Sequence, residues 1–191
     1  MRHVGPAAER FVMAELNTRP AAQPPLVKRM RICSMDLVKV RRSRPEDIET
    51  IAWLFTETVH AVNTGDYKPD QLSAWAPRPP DIASWRERLQ GETIVLVAER
   101  GQQILGFAGF TPDGHLGLLY THARFLRQGI AAALLRAIED EVRCHGVDHL
   151  FAEVSVTARP FFDHAGFRLI TAQTVERRGK EFMNYRMEKM L

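Results

Sequence analysis

From Asp36 onward the chain switches between two hydrophobic periods, and the switches lay out its elements. Leu37, Val38 and Val40 give a short strand. Ser43-Arg44-Pro45-Glu46 follows with the S-x-x-E spacing of a capping box. Ile48, Ile51, Ala52, Phe55 and Val59 then recur at helical spacing to about Ala61. Tyr67 to Pro77 predicts a short helix bounded by prolines, and Asp81 to Leu89 a second. At Thr93 the period changes: Thr93 to Ala98 is apolar on both faces and predicts a strand inside a sheet. Gly101 turns it into a strand over Ile104 to Phe110, and Pro112-Asp113-Gly114 turns that into Leu116 to Tyr120. After a helix ending near His145, where Gly146 supplies a stop, a strand is expected over His149 to Ser155. A short helix over Ala158 to Ala165 and two strands, roughly 167–175 and 182–188, complete the pattern.

The strongest helical pattern begins after Arg127-Gln128-Gly129. Ile130, Leu134, Ile138 and Val142 recur every fourth residue with Leu135 beside them, while Arg136, Glu139, Asp140 and Arg143 fill the other face. Gly129, Ala131 and Ala132 carry almost no side chain, so the first amides of this helix are left bare. Bare amides at a helix N-terminus suit an anion, and Arg127 and Gln128 add a charge and a donor beside them. A glycine before an Ala-rich helix also serves as a plain entry turn. The order strand, short loop, glycine, helix favours the phosphate of a nucleotide-type cofactor. Neither G-x-G-x-x-G nor a Walker loop is present, so another phosphate-bearing cofactor is implied.

Composition narrows the class. At 191 residues the chain suits one ordinary domain. With 26 basic and 23 acidic residues the net charge is +3, too slight for a nucleic-acid footprint. Cys33 and Cys144 suggest no disulfide framework, and the seven scattered histidines have no metal-ligand spacing, so no metal is expected. No apolar run reaches the roughly 18 residues that span a bilayer, and a cytoplasmic location without membrane association is expected. Residues 1–35, with Pro6, Pro20, Pro24 and Pro25 among small and basic residues, read as a loose extension; 36–191 read as the domain. Met1, Met30 or Met35 could each be the start.

The order β-α-α-β-β-β-α-β-α-β-β resembles the GNAT superfamily of N-acetyltransferases over about residues 37 to 188. One family signature runs Arg or Gln, two residues, Gly, one residue, Gly or Ala; Gly129 and Ala131 match it, with Leu126 in the leading position. A second is matched by Ala158, Phe161-Phe162 and Gly166-Phe167. The resemblance implies an α/β fold, a central mixed sheet flanked by helices, and acetyl-CoA as co-substrate. Its pyrophosphate would rest on Arg127, Gln128, Gly129, Ile130, Ala131 and Ala132, and its pantetheine arm along Leu119, Tyr120 and Thr121. Ser155 stands where the family has an asparagine and remains a cofactor contact. Phe162 replaces the tyrosine that commonly assists the leaving thiolate.

An amine nucleophile must lose a proton, so a base is expected. Glu153, near the end of the fifth strand, is the first candidate, with Ala152 and Val154 expected to raise its pKa. Tyr120 is the second catalytic candidate, His122 stands beside it, and Tyr185 is a stand-in acid. By the same resemblance Tyr67, Trp75 and Tyr185 would bind the acceptor, a small-molecule or peptide amine. The reading is direct attack on acetyl-CoA within a ternary complex. The alternative is a CoA-binding sensor or interaction module without efficient catalysis. A homodimer is left open.

Overall fold

A computed structural model describes residues 37–91 and 93–191. The expected loose extension over 1–35 and Cys33 lie outside them. Four strands form one antiparallel sheet in the order β1-β2-β3-β4: β1 (Lys39–Arg42), β2 (Ile94–Arg100), β3 (Gln103–Phe110) and β4 (Leu116–Thr121). Three more form a second antiparallel sheet, β5-β7-β6, from β5 (His149–Ser155), β6 (Arg168–Arg177) and β7 (Lys180–Met190). The mixed character of the whole rests on one parallel bridge, His115 to Phe151, which sets β4 beside β5.

Helices cover both faces. α1 (Ile48–Val62), α2 (Pro69–Trp75) and α3 (Ile82–Arg88) lie on one side, and α4 (Ile130–Cys144) and α5 (Arg159–His164) on the other. The apolar stripe read from the sequence is the buried stripe of α4: Ile130, Leu134, Leu135, Ile138 and Val142 pack with Leu150, Phe162 and Met187. Burying each such side chain contributes about 1.5–3 kcal/mol. Across the sheet, Ile51, Phe55, Val59 and Leu72 pack with Trp75, Trp85, Phe107, Tyr120 and Phe182. β2 is apolar on both faces because Leu96 and Ala98 pack with α4 and Val95 and Val97 with α1. Among the described residues no helix is long and apolar enough to cross a membrane.

Two sequence readings need correction. The carboxylate that returns to the chain before α1 is Asp47, not Glu46: the Arg44 amide donates to Asp47 Oδ2 at 2.7 Å. Asp47 is chosen because Arg41 also holds it, donating from Nη1 at 2.6 Å and from Nε to Glu99 at 2.8 Å. The last two strands also run further than 167–175 and 182–188. They meet at a two-residue turn, Arg178-Gly179, with φ of 48° and 71°. Their polar ends, Glu176 to Glu181, carry no apolar alternation; backbone pairing extends them, with bonds from Gln71 to the Glu181 carbonyl and from Arg178 to the Ala74 carbonyl, both at 2.7 Å.

Candidate active site

The site is a wedge between β4 and β5. At its closed end the Phe151 amide donates to the Gly114 carbonyl at 3.0 Å. Gly114, at φ 91°, comes so near β5 that a Cβ would meet the His149 carbonyl. Further along β4 the register against β3 slips, from Phe110 opposite Leu116 to Gly109 opposite Leu118, so Gly117 is the bulged residue. A bulge bends and twists its strand, and from here no ladder joins β4 to β5. The peptide groups of β4 then sort by alternation. His122 donates to Leu105 at 2.8 Å, so His122, Tyr120 and Leu118 face β3, and the peptides of Leu119 and Thr121 face the wedge. On β5 the same rule, started from Phe151, turns the peptides of Glu153 and Ser155 inward.

The wedge opens toward the start of α4. Arg127, Gln128 and Gly129 are exposed, and Arg127 and Gly129 both adopt left-handed backbone, φ 58° and 78°. That pair of conformations folds the loop over the helix end. Ala133 makes the first amide bond back, to the Gly129 carbonyl at 2.9 Å. The amides of Ile130, Ala131 and Ala132 precede it and have no helical acceptor. A Cβ on Gly129 would meet nothing within 4 Å, so the space beside that residue is open. Arg100 reaches the loop, donating to Gln128 Oε1 at 3.4 Å. Gly106 serves the same construction from beneath, because a Cβ there would lie 2.8 Å from the Tyr120 carbonyl and 2.9 Å from Ile130 Cγ2.

Ser155 and Phe162 lie deeper than the sequence suggested. Ser155 is fully buried and its Oγ accepts from the Ala158 amide at 3.1 Å, holding the turn into α5. Phe162 has no exposed surface and meets Phe161 and Phe167 edge-on at 5.5 and 4.8 Å.

Glu153 lies on the α1–α3 side of β5, opposite Arg186 of β7. His115 Nε2 is 2.6 Å from its Oε2, and the His115 ring stacks on Phe151 at 4.8 Å. Burial works to raise the Glu153 carboxyl, but bonding to His115, its charge, and the charge of Arg186 outweigh it. The carboxyl therefore sits below its ordinary value, opposite in direction to the sequence expectation, which counted Ala152 and Val154 and missed His115. His115 carried a sequence signal only in its place after Pro112-Asp113-Gly114.

Tyr120 points to the same side. Its ring stacks on Phe107 at 5.5 Å and meets Phe55 edge-on at 4.8 Å. Burial pushes its hydroxyl well above the ordinary value although Arg88 and Arg177 pull it down, so it is a hydrogen-bonding group and not a proton acceptor. Tyr67 and Trp75 are brought together, edge-on at 5.2 Å and both against Phe182. The Tyr67 hydroxyl accepts from the Val156 amide at 3.0 Å, and burial raises it to about 12. Tyr185 is not with them. It lies on the other face of β7, beneath the Arg159 guanidinium at 4.3 Å. His122 caps the turn before the loop, accepting at Nδ1 from Arg124.

Beside Tyr120 a cleft of about 160 Å³ opens between α1, α3 and the β6–β7 turn, walled by Phe55, Trp75 and Trp85. Arg88, Arg177 and Arg178 also line it, and Asp81 is the one acid among its lining residues.

The sequence profile of the acetyltransferase (GNAT) domain matches residues 63–189. The chain belongs to this family. The uncharacterised N-acetyltransferase YafP of Escherichia coli (strain K12) is 31% identical over 153 residues, 80% of this chain and 96% of that protein. A GCN5-related N-acetyltransferase from Rhodopseudomonas palustris superposes with a TM-score of 0.77 at 29% identity, covering 83% of this chain and 99% of that one. The PaiA N-acetyltransferase of Thermoplasma acidophilum, solved with coenzyme A, shares the fold at a TM-score of 0.65 and 17% identity over 81% and 99% of the two chains. The GNAT chain described here is therefore an acetyltransferase.

Proposed function

We propose that this GNAT protein transfers the acetyl group of acetyl-CoA to an amine by direct attack in a ternary complex. The observation that carries the reading is the wedge that opens onto the start of α4: its floor is the inward-facing Leu119 peptide and Thr121 amide, the Thr121 carbonyl being taken by the Thr58 hydroxyl at 3.0 Å, and at its mouth the amides of Ile130, Ala131 and Ala132 precede the first helical bond. That mouth fits a pyrophosphate, because its donors are backbone amides at a helix N-terminus and its neighbours Arg100 and Arg127 are cations. PaiA carries coenzyme A on the same fold.

The inward Leu119 amide can take the thioester oxygen as negative charge builds on it. The amine enters from the Tyr120 side, and its proton passes to the Glu153–His115 pair: the carboxylate, ionised beforehand, takes the proton through the ring and then releases it to water. Phe162 has no proton to give, so the thiolate leaves as an anion and is protonated by water, which its pKa near 8.5 permits.

Calorimetry with acetyl-CoA and thiol release across a panel of amines test this. Gly129→Glu places a carboxylate over the amides and should abolish acetyl-CoA binding while the protein still folds. Equal affinity in parent and variant would overturn the donor site.

A further inference from the structure

The acceptor-side cleft has a charge pattern that selects its ligand. Three cations and one acid line it, and the acid is already engaged: Asp81 accepts from the Ala83 and Ser84 amides at 3.0 and 3.2 Å and from the Ser84 hydroxyl at 2.7 Å, closing the N-terminus of α3. Two of the arginines are held in place. Arg88 lies over the Trp85 ring at 5.2 Å, a contact that favours a fixed guanidinium. Arg178 donates to the Ala74 carbonyl at 2.7 Å, from a left-handed backbone that a side-chain-bearing residue rarely adopts. The two-residue turn between β6 and β7 sets that conformation, since such turns need positive φ at both central residues. Arg177 stands between them, its Nη1 buried.

None of the lining residues belongs to β4, to α4 or to the loop between them, so this positive surface is not the donor phosphate site. The opposite wall is aromatic, from Phe55, Trp75 and Trp85. Resting on the proposed acetyl transfer, the geometry points to an acceptor that carries a carboxylate as well as its amine: an amino acid-like molecule whose apolar body lies on the rings of Phe55 and Trp85 and whose carboxylate is taken by Arg88, Arg177 and Arg178. Guanidinium forks match a carboxylate in plane, whereas an acceptor bearing a second ammonium group would meet three like charges. The Tyr120 hydroxyl, beneath the same arginines, marks the direction from the cleft to the wedge.

The test uses the full chain and matched pairs. Phenylacetate, phenylacetamide and benzylamine are titrated by calorimetry, and phenylalanine and phenylalaninamide are compared as acceptors by thiol release from acetyl-CoA. The acid of each pair should be preferred by about tenfold or more, the loss expected when a charge-assisted bond goes unmade. Arg88→Gln and Arg177→Gln should erase the preference, and Arg88→Lys should retain part of it. Arg178→Gln is the second variant should Arg177→Gln melt far below the parent. Acids and amides bound or turned over equally, a preference that survives both Gln variants, or no binding of phenylacetate overturns the assignment. Acetyl-CoA is titrated in the same samples. If it binds while the acid preference is absent, the acceptor class alone is wrong; if the acid binds and acetyl-CoA does not, the donor reading is wrong.

Discussion

Gly106 supports the donor site without touching a ligand, and its replacement gives a quantitative check on how that site is built. The residue lies on β3 opposite Thr121, under the first turn of α4. A methyl group there would sit 2.8 Å from the Tyr120 carbonyl oxygen, 2.9 Å from Ile130 Cγ2 and 3.4 Å from Leu134 Cδ1. The first of these is backbone in a paired strand and cannot swing away. The helix must retreat instead, and it is the turn with the bare amides that retreats. Overpacking of this kind is destabilising by about 1–3 kcal/mol. At about 2–4 °C per kcal/mol for a chain of this size, Gly106→Ala should melt roughly 2–12 °C below the parent. Its affinity for acetyl-CoA should fall as well, by about tenfold if one charge-assisted amide contact is lost.

Gly129 is the control. A Cβ there meets nothing within 4 Å, but φ is 78°, so Gly129→Ala suffers conformational strain of about 1–2 kcal/mol and no clash. Asn tolerates this conformation, so Gly129→Asn should recover most of the melting temperature, whereas no side chain at position 106 avoids the carbonyl. Scanning calorimetry of the four proteins and titration with acetyl-CoA read both effects. A Gly106→Ala protein that melts with the parent and binds acetyl-CoA equally well would refute the close approach of α4 to β3.

Three further substitutions probe the remaining parts. Glu153→Gln should lower turnover on the order of 10²-fold with acetyl-CoA affinity unchanged if the carboxylate is the terminal base; undiminished kcat would exclude it. Because the folded carboxyl is held below its ordinary value, Glu153 contributes stability at neutral pH that is lost as pH falls through the folded value. The Gln variant should therefore show a shallower acid dependence of melting temperature. Asp47→Asn removes the charge and turns one of the two oxygens that accept from Arg41 and the Arg44 amide into a donor, and should destabilise by about 1–3 kcal/mol. Arg41 holds the Asp47 carboxyl low, so the parent's advantage over this variant should also shrink on acidification, and an advantage that grew would contradict the assigned pair. Phe162→Tyr puts a hydroxyl on a ring with no exposed surface, so the free protein should melt lower. If that ring faces the thioester sulfur, acetyl-CoA should raise the variant's melting temperature more than the parent's, and equal shifts in the two would place Phe162 elsewhere.

The elements and the bare start of α4 were legible because each leaves a local trace. The stripe Ile130, Leu134, Ile138, Val142 announces α4, and Gly129 with two alanines announces its bare start. Backbone sites need small residues, and small residues in a row show in a sequence. The acceptor cleft leaves no such trace. Phe55, Trp85 and Arg177 come from α1, α3 and β6, each locally an ordinary core or surface residue, and they meet only when the hairpin of β6 and β7 folds over α2. Glu153 was visible as a strand carboxylate, but the direction of its pKa was not. It depends on His115, 38 positions away in sequence, through the one parallel bridge in the fold. Tyr185 failed for a simpler reason: period-two alternation sends it to the opposite face of β7 from Asn184 and Phe182.

The wedge itself follows from three glycines with different tasks. Gly114 lets β4 start against β5, since a side chain there would strike the His149 carbonyl. Gly117, as the bulged residue, then turns β4 away before a second ladder bond to β5 forms. Gly106 finally allows α4 to settle on β3, close enough that its first amides stand at the mouth of the gap. Closing the gap by restoring the ladder would pair Leu119 and Thr121 with β5, giving a more regular sheet with no backbone donors left for a thioester. The peptides held off β5 are thus the feature the glycines maintain, with the Thr121 carbonyl accepting instead from the Thr58 hydroxyl at 3.0 Å. On the proposed reading, a sheet interrupted in this way also separates the two approaches, the phosphates arriving over α4 and the amine over Tyr120. Attack on that reading occurs where the two faces share the gap, beside the inward amide of Leu119.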